Sequence, residues 1–219
     1  MEKYDAYIFD LDGTLLDTLA DLAASVNYAL RKHGMATRNI DDIRRFVGNG
    51  VRKLIERSVP GGGVNALFDD VLADFKSHYS AHNMDRTAPY PGIMEMLCRL
   101  HSDGRLMAVV SNKYDAATKS LCRHFFGDYI DVAIGESEGI RRKPAPDTVN
   151  EALRQLRLLR PSSCRDGLRA VYIGDSDVDI QTARNSGLPC VSVLWGFRDK
   201  AFLTAHGASC LVEKASEIG

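Results

Sequence analysis

The chain has 219 residues, 45% hydrophobic and 26% charged, a globular composition that suits one large domain or a core domain with an insertion. Its 28 basic and 29 acidic residues leave a formal net charge of −1, so no field of one sign marks a nucleic-acid or anionic-membrane partner, and a small ligand is expected. Five cysteines (Cys98, Cys122, Cys164, Cys190 and Cys210) are odd in number and lack C-x-x-C spacing, which reads as reduced thiols of a cytosolic protein rather than a disulfide framework or a zinc site.

The chain opens MEKYDAYIFD, with acidic residues where a signal peptide would be basic and apolar. No apolar run approaches the ~18–20 residues that cross a bilayer, so a cytoplasmic location without membrane anchoring is expected. Ala6-Tyr7-Ile8-Phe9 is a short apolar run that stops at Asp10 and reads as a buried strand. Asp10-Leu11-Asp12-Gly13-Thr14 then places two carboxylates at the strand end, before a glycine that permits a sharp turn. Anions this close need a cation or a shared proton. A hard divalent ion with oxygen ligands, such as magnesium, suits them.

Residues 16–88 show no strand pattern and read as helices. Leu19, Leu22, Ala23, Val26 and Leu30 share one helical face. Further helices are predicted over 39–46, 50–58 and 64–80, with Pro60-Gly61-Gly62-Gly63 separating the last two. His78 and His82 have i, i+4 spacing but no accompanying carboxylate motif, so they are not read as a zinc site. Pro89-Tyr90-Pro91-Gly92 marks the return to the sheet.

Four more apolar runs follow. Residues 106–110 stop at Ser111-Asn112, just before a helix near Asp115, where a hydroxyl and backbone N–H groups can hold phosphate oxygens; Lys113 is expected to be solvated. Residues 132–134 lead to Arg141-Arg142-Lys143-Pro144-Ala145-Pro146-Asp147, in which the Lys143 ammonium can serve a phosphate as a point charge. Residues 170–173 end at Gly174-Asp175-Ser176-Asp177-Val178-Asp179, with Asp175 as the natural metal ligand and Asp179 placed to orient it. Ser176 or Asp177 can cap the next helix. Residues 190–194 are followed by Trp195-Gly196-Phe197, expected to pack rather than bind. With helices over about 115–125, 146–158 and 177–186, the pattern is α/β: a doubly wound parallel sheet, residues 1–15 and 89–219, interrupted by a helical insertion at 16–88. Such sheets bind ligands at the carboxyl ends of their strands, where Asp10, Asp12, Ser111, Asn112, Lys143 and Asp175 all fall.

Together these segments resemble the haloacid dehalogenase superfamily in its phosphatase branch, over the whole chain. The first signature stands as Phe9-Asp10-Leu11-Asp12-Gly13-Thr14-Leu15-Leu16-Asp17-Thr18, the second is Ser111, the third Lys143, and the fourth Gly174-Asp175 through Asp179. The resemblance implies that Asp10 is a nucleophile forming an aspartyl-phosphate, that Asp12 is the general acid and then the base, and that magnesium is held by the Asp10 and Asp175 carboxylates and the Asp12 backbone carbonyl. Ser111, the Asn112 backbone and Lys143 would bind the phosphoryl oxygens. The insertion looks like the family's cap. Its segments Asp17–Asn27 and Arg44–Ile55 are similar to those of phosphoglycolate phosphatases, which implies 2-phosphoglycolate as substrate and makes Arg52, with Asn49 second, the candidate partner of its carboxylate.

Phosphosugar phosphatases, phosphosugar mutases and pyrophosphatases share the core signatures and stand as alternatives. A dehalogenase would lack an acid like Asp12. A phospho-aspartate receiver module would carry its acceptor after the third strand and no insertion. The expected partner is a small phosphate ester, without nucleic acid or membrane, acting on a monomer or homodimer.

Overall fold

The structure, a computed structural model, describes residues 3–159 and 167–219; Cys164 and the first two residues lie outside them. In chain order, β1 (Ala6–Phe9) and β2 (Leu16–Asp17) precede four helices, α1 (Leu19–Lys32), α2 (Ile40–Phe46), α3 (Val51–Ser58) and α4 (Phe68–His82). There follow β3 (Ala88–Pro89), α5 (Ile93–Ser102), β4 (Leu106–Tyr114), α6 (Asp115–Phe126), β5 (Val132–Glu136) and α7 (Asp147–Leu158). The chain closes with β6 (Ala170–Gly174), α8 (Asp177–Asn185), β7 (Cys190–Val193), α9 (Lys200–Ala205) and β8 (Leu211–Val212). It divides into two compact units, Met1–Leu16 with Pro89–Gly219, and Asp17–Ala88.

The first unit is an α/β layer built on a six-stranded sheet in the order β5-β4-β1-β6-β7-β8, with every described pair parallel. Side chains alternate between the faces of a strand. Ala6, Ile8, Ala108, Val110, Val132, Ile134, Ala170 and Tyr172 fall on one face and pack with Val149, Ala152, Leu153 and Leu156 of α7. Tyr7, Phe9, Met107, Val109, Val171 and Ile173 fall on the other, and are at most 1% exposed. Burial on both sides explains why these strands read as continuous apolar runs rather than alternating ones. The chain leaves β1 toward β4 on one side and returns to β6 on the other, with Phe9 aligned to Val109 and to Ile173. Asp10 therefore stands at the switch point, beside the segment that carries Asp175.

β4, α4 and a pair of short strands differ from expectation. β4 runs on to Tyr114 instead of stopping at Ser111, because Ser111, Asn112 and Lys113 are buried polar residues that hydropathy reads as a strand end. Its pairing with β5 shifts register between Val110 and Tyr114, so the segment between them bulges. α4 starts at Phe68, not near residue 64: the Asn65 side chain accepts a hydrogen bond from Leu67 N (2.9 Å) and donates one to Pro60 O (2.9 Å), a local turn that competes with helix. β2 and β3, two residues each, pair where the chain crosses between the units; they are too short to leave a periodic signal.

The second unit is helical. Leu22, Val26, Ala29 and Leu30 of α1 are buried, as are Val71, Phe75 and Tyr79 of α4, and these two helices pack on each other. Asp21 is buried at 1% exposure and accepts hydrogen bonds from Arg86 N, Thr87 N and Thr87 Oγ1, tying α1 to the segment after α4. His78 shares a hydrogen bond with Ser25 Oγ (3.0 Å), and His82 pairs with Asp85 (2.8 Å). Among the described residues no helix is long and apolar enough to cross a membrane. The four described cysteines are free thiols.

Candidate active site

The chemistry-bearing residues of the sheet unit converge at the carboxyl ends of β1, β4 and β6. Asp10 directly follows β1, its N–H donating to Ile173 O at 2.9 Å, and is 8% exposed. Lys143 comes from the loop between β5 and α7 and is 3% exposed; its peptide bond to Pro144 is cis. The Lys143 ammonium donates to Asp10 Oδ1 at 2.7 Å, to Asp179 Oδ1 at 2.9 Å and to the Tyr172 hydroxyl at 2.9 Å. Tyr172, fully buried on β6, donates in turn to Asp179 Oδ1 at 2.8 Å. The other Asp179 oxygen accepts from Ser176 N at 3.1 Å and from Ser176 Oγ, while Ser176 Oγ accepts from Asp179 N, a capping box that opens α8.

Asp175 is 1% exposed and is gripped by backbone as much as by side chains. Phe197 N donates to its Oδ2 at 2.7 Å, and Thr14 Oγ1 to its Oδ1 at 3.3 Å. Two glycines make room. Gly13 has φ +90°, and a Cβ there would lie 2.4 Å from Asp175 Oδ2; a Cβ on Gly196 would lie 2.3 Å from Asp175 Cβ. Trp195-Gly196-Phe197, expected only to pack, thus also holds a site carboxylate, and the Trp195 indole donates to Thr14 O at 2.9 Å.

The bulged end of β4 supplies the remaining wall. Ser111 Oγ accepts from Lys113 N (3.2 Å), and the Asn112 amide donates to Lys143 O (3.0 Å), linking the second and third signatures. Lys113 corrects the sequence reading. It is not solvated but 5% exposed, with its ammonium 2.9 Å from Asp12 Oδ1. The bulge turns this charge inward, and nothing in local hydropathy signals that.

Electrostatics set the character of the site. Burial, then the charges of Asp179 and Asp175, push the Asp10 carboxyl well above the usual carboxylate range against the pull of Lys143. Burial, with the charge of Asp179, pushes Asp175 up to about 7. Burial alone would lower Lys143, but the carboxylates of Asp10 and Asp179 outweigh it and raise it. Oxygens of Asp10, Asp175 and Asp179 lie within 4.8 Å of one another. Three ionised carboxylates against one ammonium leave two negative charges, and an uncompensated buried charge is costly. Hard oxygen donors with that surplus match a hard divalent cation, so the residues present fit such an ion.

Arg52 belongs to the helical unit. Its guanidinium is exposed, 3.3 Å from Asp69 Oδ1 and 4.7 Å above the Phe68 ring. Asn49 in the same unit accepts from Arg57 at 2.9 Å.

Known proteins bear on this arrangement. The family model for haloacid dehalogenase-like hydrolases matches residues 7–193. A phosphoglycolate phosphatase of Rhodobacter capsulatus is 40% identical over 197 residues, 88% of this chain and 85% of that protein. One of Mesorhizobium japonicum is 35% identical over 202 residues, 88% of this chain and 84% of that protein. A crystal structure from Lactobacillus delbrueckii subsp. bulgaricus, provisionally assigned as a phosphoglycolate phosphatase, superposes with a TM-score of 0.89 at 38% identity, covering 99% of this chain and 97% of that one.

Proposed function

The chain belongs to the haloacid dehalogenase-like hydrolase family and is a phosphatase, and from that premise we propose that it hydrolyses 2-phosphoglycolate with the help of magnesium. The observation that carries the reading is the buried cluster of Asp10, Lys143, Asp175 and Asp179 at the switch point of the sheet. The substrate is taken from the relatives' names and from the similarity of segments Asp17–Asn27 and Arg44–Ile55 to phosphoglycolate phosphatases.

In this reading an Asp10 oxygen attacks phosphorus as the bond to the leaving oxygen breaks, and the electron pair of that bond stays with the leaving oxygen. Asp12 gives that oxygen its proton, then takes one from the water that cleaves the aspartyl-phosphate. Asp10, Asp175 and the Asp12 carbonyl would hold magnesium, with Asp179 orienting them; when bound, the ion supplies positive charge to the phosphoryl oxygens. Ser111 and the Asn112 backbone bind the remaining oxygens. Lys143 holds Asp10 in line and offers its charge to the same group, while Tyr172 and Asp179 keep the ammonium in place. The helical unit acts as the cap, and the exposed guanidinium of Arg52 is the candidate for the substrate's carboxylate. The cytoplasm is the proposed location.

A panel of phosphomonoesters assayed with magnesium tests this. The expected result is the highest kcat/KM for 2-phosphoglycolate, and loss of turnover in excess chelator that magnesium restores. A sugar phosphate preferred by more than about tenfold, the ~1.4 kcal/mol that makes a real discrimination, would replace the substrate.

A further inference from the structure

Lys113 has no place in the chemistry derived so far, yet it is buried beside it. Its Nζ lies 2.9 Å from Asp12 Oδ1, with side-chain exposures of 3% and 14% for the two residues. Among the described residues no hydrogen bond reaches that buried oxygen, so the ammonium is what compensates it. The lysine is itself held from behind. Its N–H donates to Ser111 Oγ (3.2 Å), its carbonyl accepts from Thr118 Oγ1 (3.2 Å), and a Cβ on Gly135 would lie 2.6 Å from that carbonyl. Residues from β4, β5 and α6 thus locate its backbone, a precision that a solvated lysine does not need.

We infer that Lys113 is a positioning residue for the phosphatase reaction: it clamps Asp12 Oδ1 and so directs the other Asp12 oxygen at the leaving group. The inference rests on the reading of Asp12 as general acid. A carboxylate anchored at one oxygen by a cation keeps its orientation, and proton delivery to the leaving oxygen depends on that orientation. Lys113 exchanges no proton in this account. The proton moves from Asp12 to the leaving oxygen, which keeps the electron pair of its broken bond to phosphorus.

The leaving group provides the test. Loss of a well-placed acid slows an alkyl ester, whose alkoxide is a strong base, far more than p-nitrophenyl phosphate, whose leaving group departs without a proton. Moreover, kcat/KM reports the steps up to phosphoryl transfer from substrate, so the later hydrolysis of the intermediate does not intrude. Lys113→Met is expected to lower kcat/KM about ten- to a hundredfold for 2-phosphoglycolate and less than about threefold for p-nitrophenyl phosphate. Lys113→Arg, which keeps the cation, should narrow that gap, and Lys113→Gln serves in the same comparison if the methionine variant does not fold. Asp12→Asn is the reference. If Asp12→Asn shows the leaving-group gap and the neutral Lys113 variants lower both esters equally, Lys113 does not position Asp12 and this inference falls alone. If Asp12→Asn shows no gap either, the general-acid reading falls with it.

Discussion

The proposed attack of Asp10 on phosphorus needs a carboxylate, yet its burial and two neighbouring acids favour the protonated form. Lys143 opposes them from 2.7 Å. The ammonium is not Asp10's alone, since Asp179 and Tyr172 share it. On the proposed mechanism Asp10→Asn removes the nucleophile, while Lys143 keeps two of its three partners. Turnover is expected to fall by roughly a thousandfold or more, as when other covalent nucleophiles are deleted. The melting temperature should stay within a few degrees, because an isosteric amide leaves little cavity and relieves repulsion from Asp175 and Asp179. Steady-state assay and a thermal melt check both; activity above about a tenth of the parent would remove Asp10 from the nucleophile's role.

At the scale of elements, the informative places are where polar residues are buried inside regular structure. β4 continues through Ser111-Asn112-Lys113 with the Ser111 hydroxyl, the Asn112 amide N–H and the Lys113 ammonium each partnered, and hydropathy cannot anticipate partners supplied by other segments. α1 shows the same effect in the helical unit. Asp21 sits among the buried, mostly apolar residues of α1, where Arg86 N and both donors of Thr87 reach it. Asp21→Ala leaves those donors without their acceptor, Thr87 itself being 6% exposed, and charge-assisted hydrogen bonds are worth about 1.5–3 kcal/mol each. A loss of about 3 kcal/mol of stability in urea unfolding is expected, with Asp21→Asn recovering part of it. A loss below about 1 kcal/mol would show that water takes over the role of the carboxylate.

Over the whole molecule, three segments distant in the chain, carrying residue 10, residue 143, and residues 175 and 179, meet in one buried cluster, and its charge is a property of the fold. Asp175 is pushed up to about 7 by burial and the charge of Asp179, from an ordinary carboxylate value near 3.9 in the unfolded chain. Between those values the folded chain keeps a proton that the unfolded chain has lost. Stability of the metal-free protein therefore falls as pH rises through about 4 to 7. A divalent cation on the cluster removes that penalty, so its stabilising effect should grow over the same window. Thermal midpoints with chelator and with magnesium, at about pH 5 and about pH 7.5, measure the difference; an equal gap at both would contradict the cluster as the cation's seat.

Hydropathy patterning alone carries the class of fold and the order of its parts. Strands buried on both faces write themselves as apolar runs, helices as stripes, and a ligand site in such a sheet lies where the runs stop. Those rules reach Asp10, Ser111, Lys143 and Asp175 without coordinates. They do not reach Lys113, Tyr172 or the backbone N–H of Phe197. Tyr172 reads as one more apolar strand residue until its hydroxyl is seen between Lys143 and Asp179. Lys113 reads as surface until the bulge in β4 turns it toward Asp12. Phe197 acts through an atom that every residue but proline carries. These emerge only in the folded chain, because which polar group meets which depends on strand register, a bulge and two glycine contacts, none of which leaves a period in the sequence.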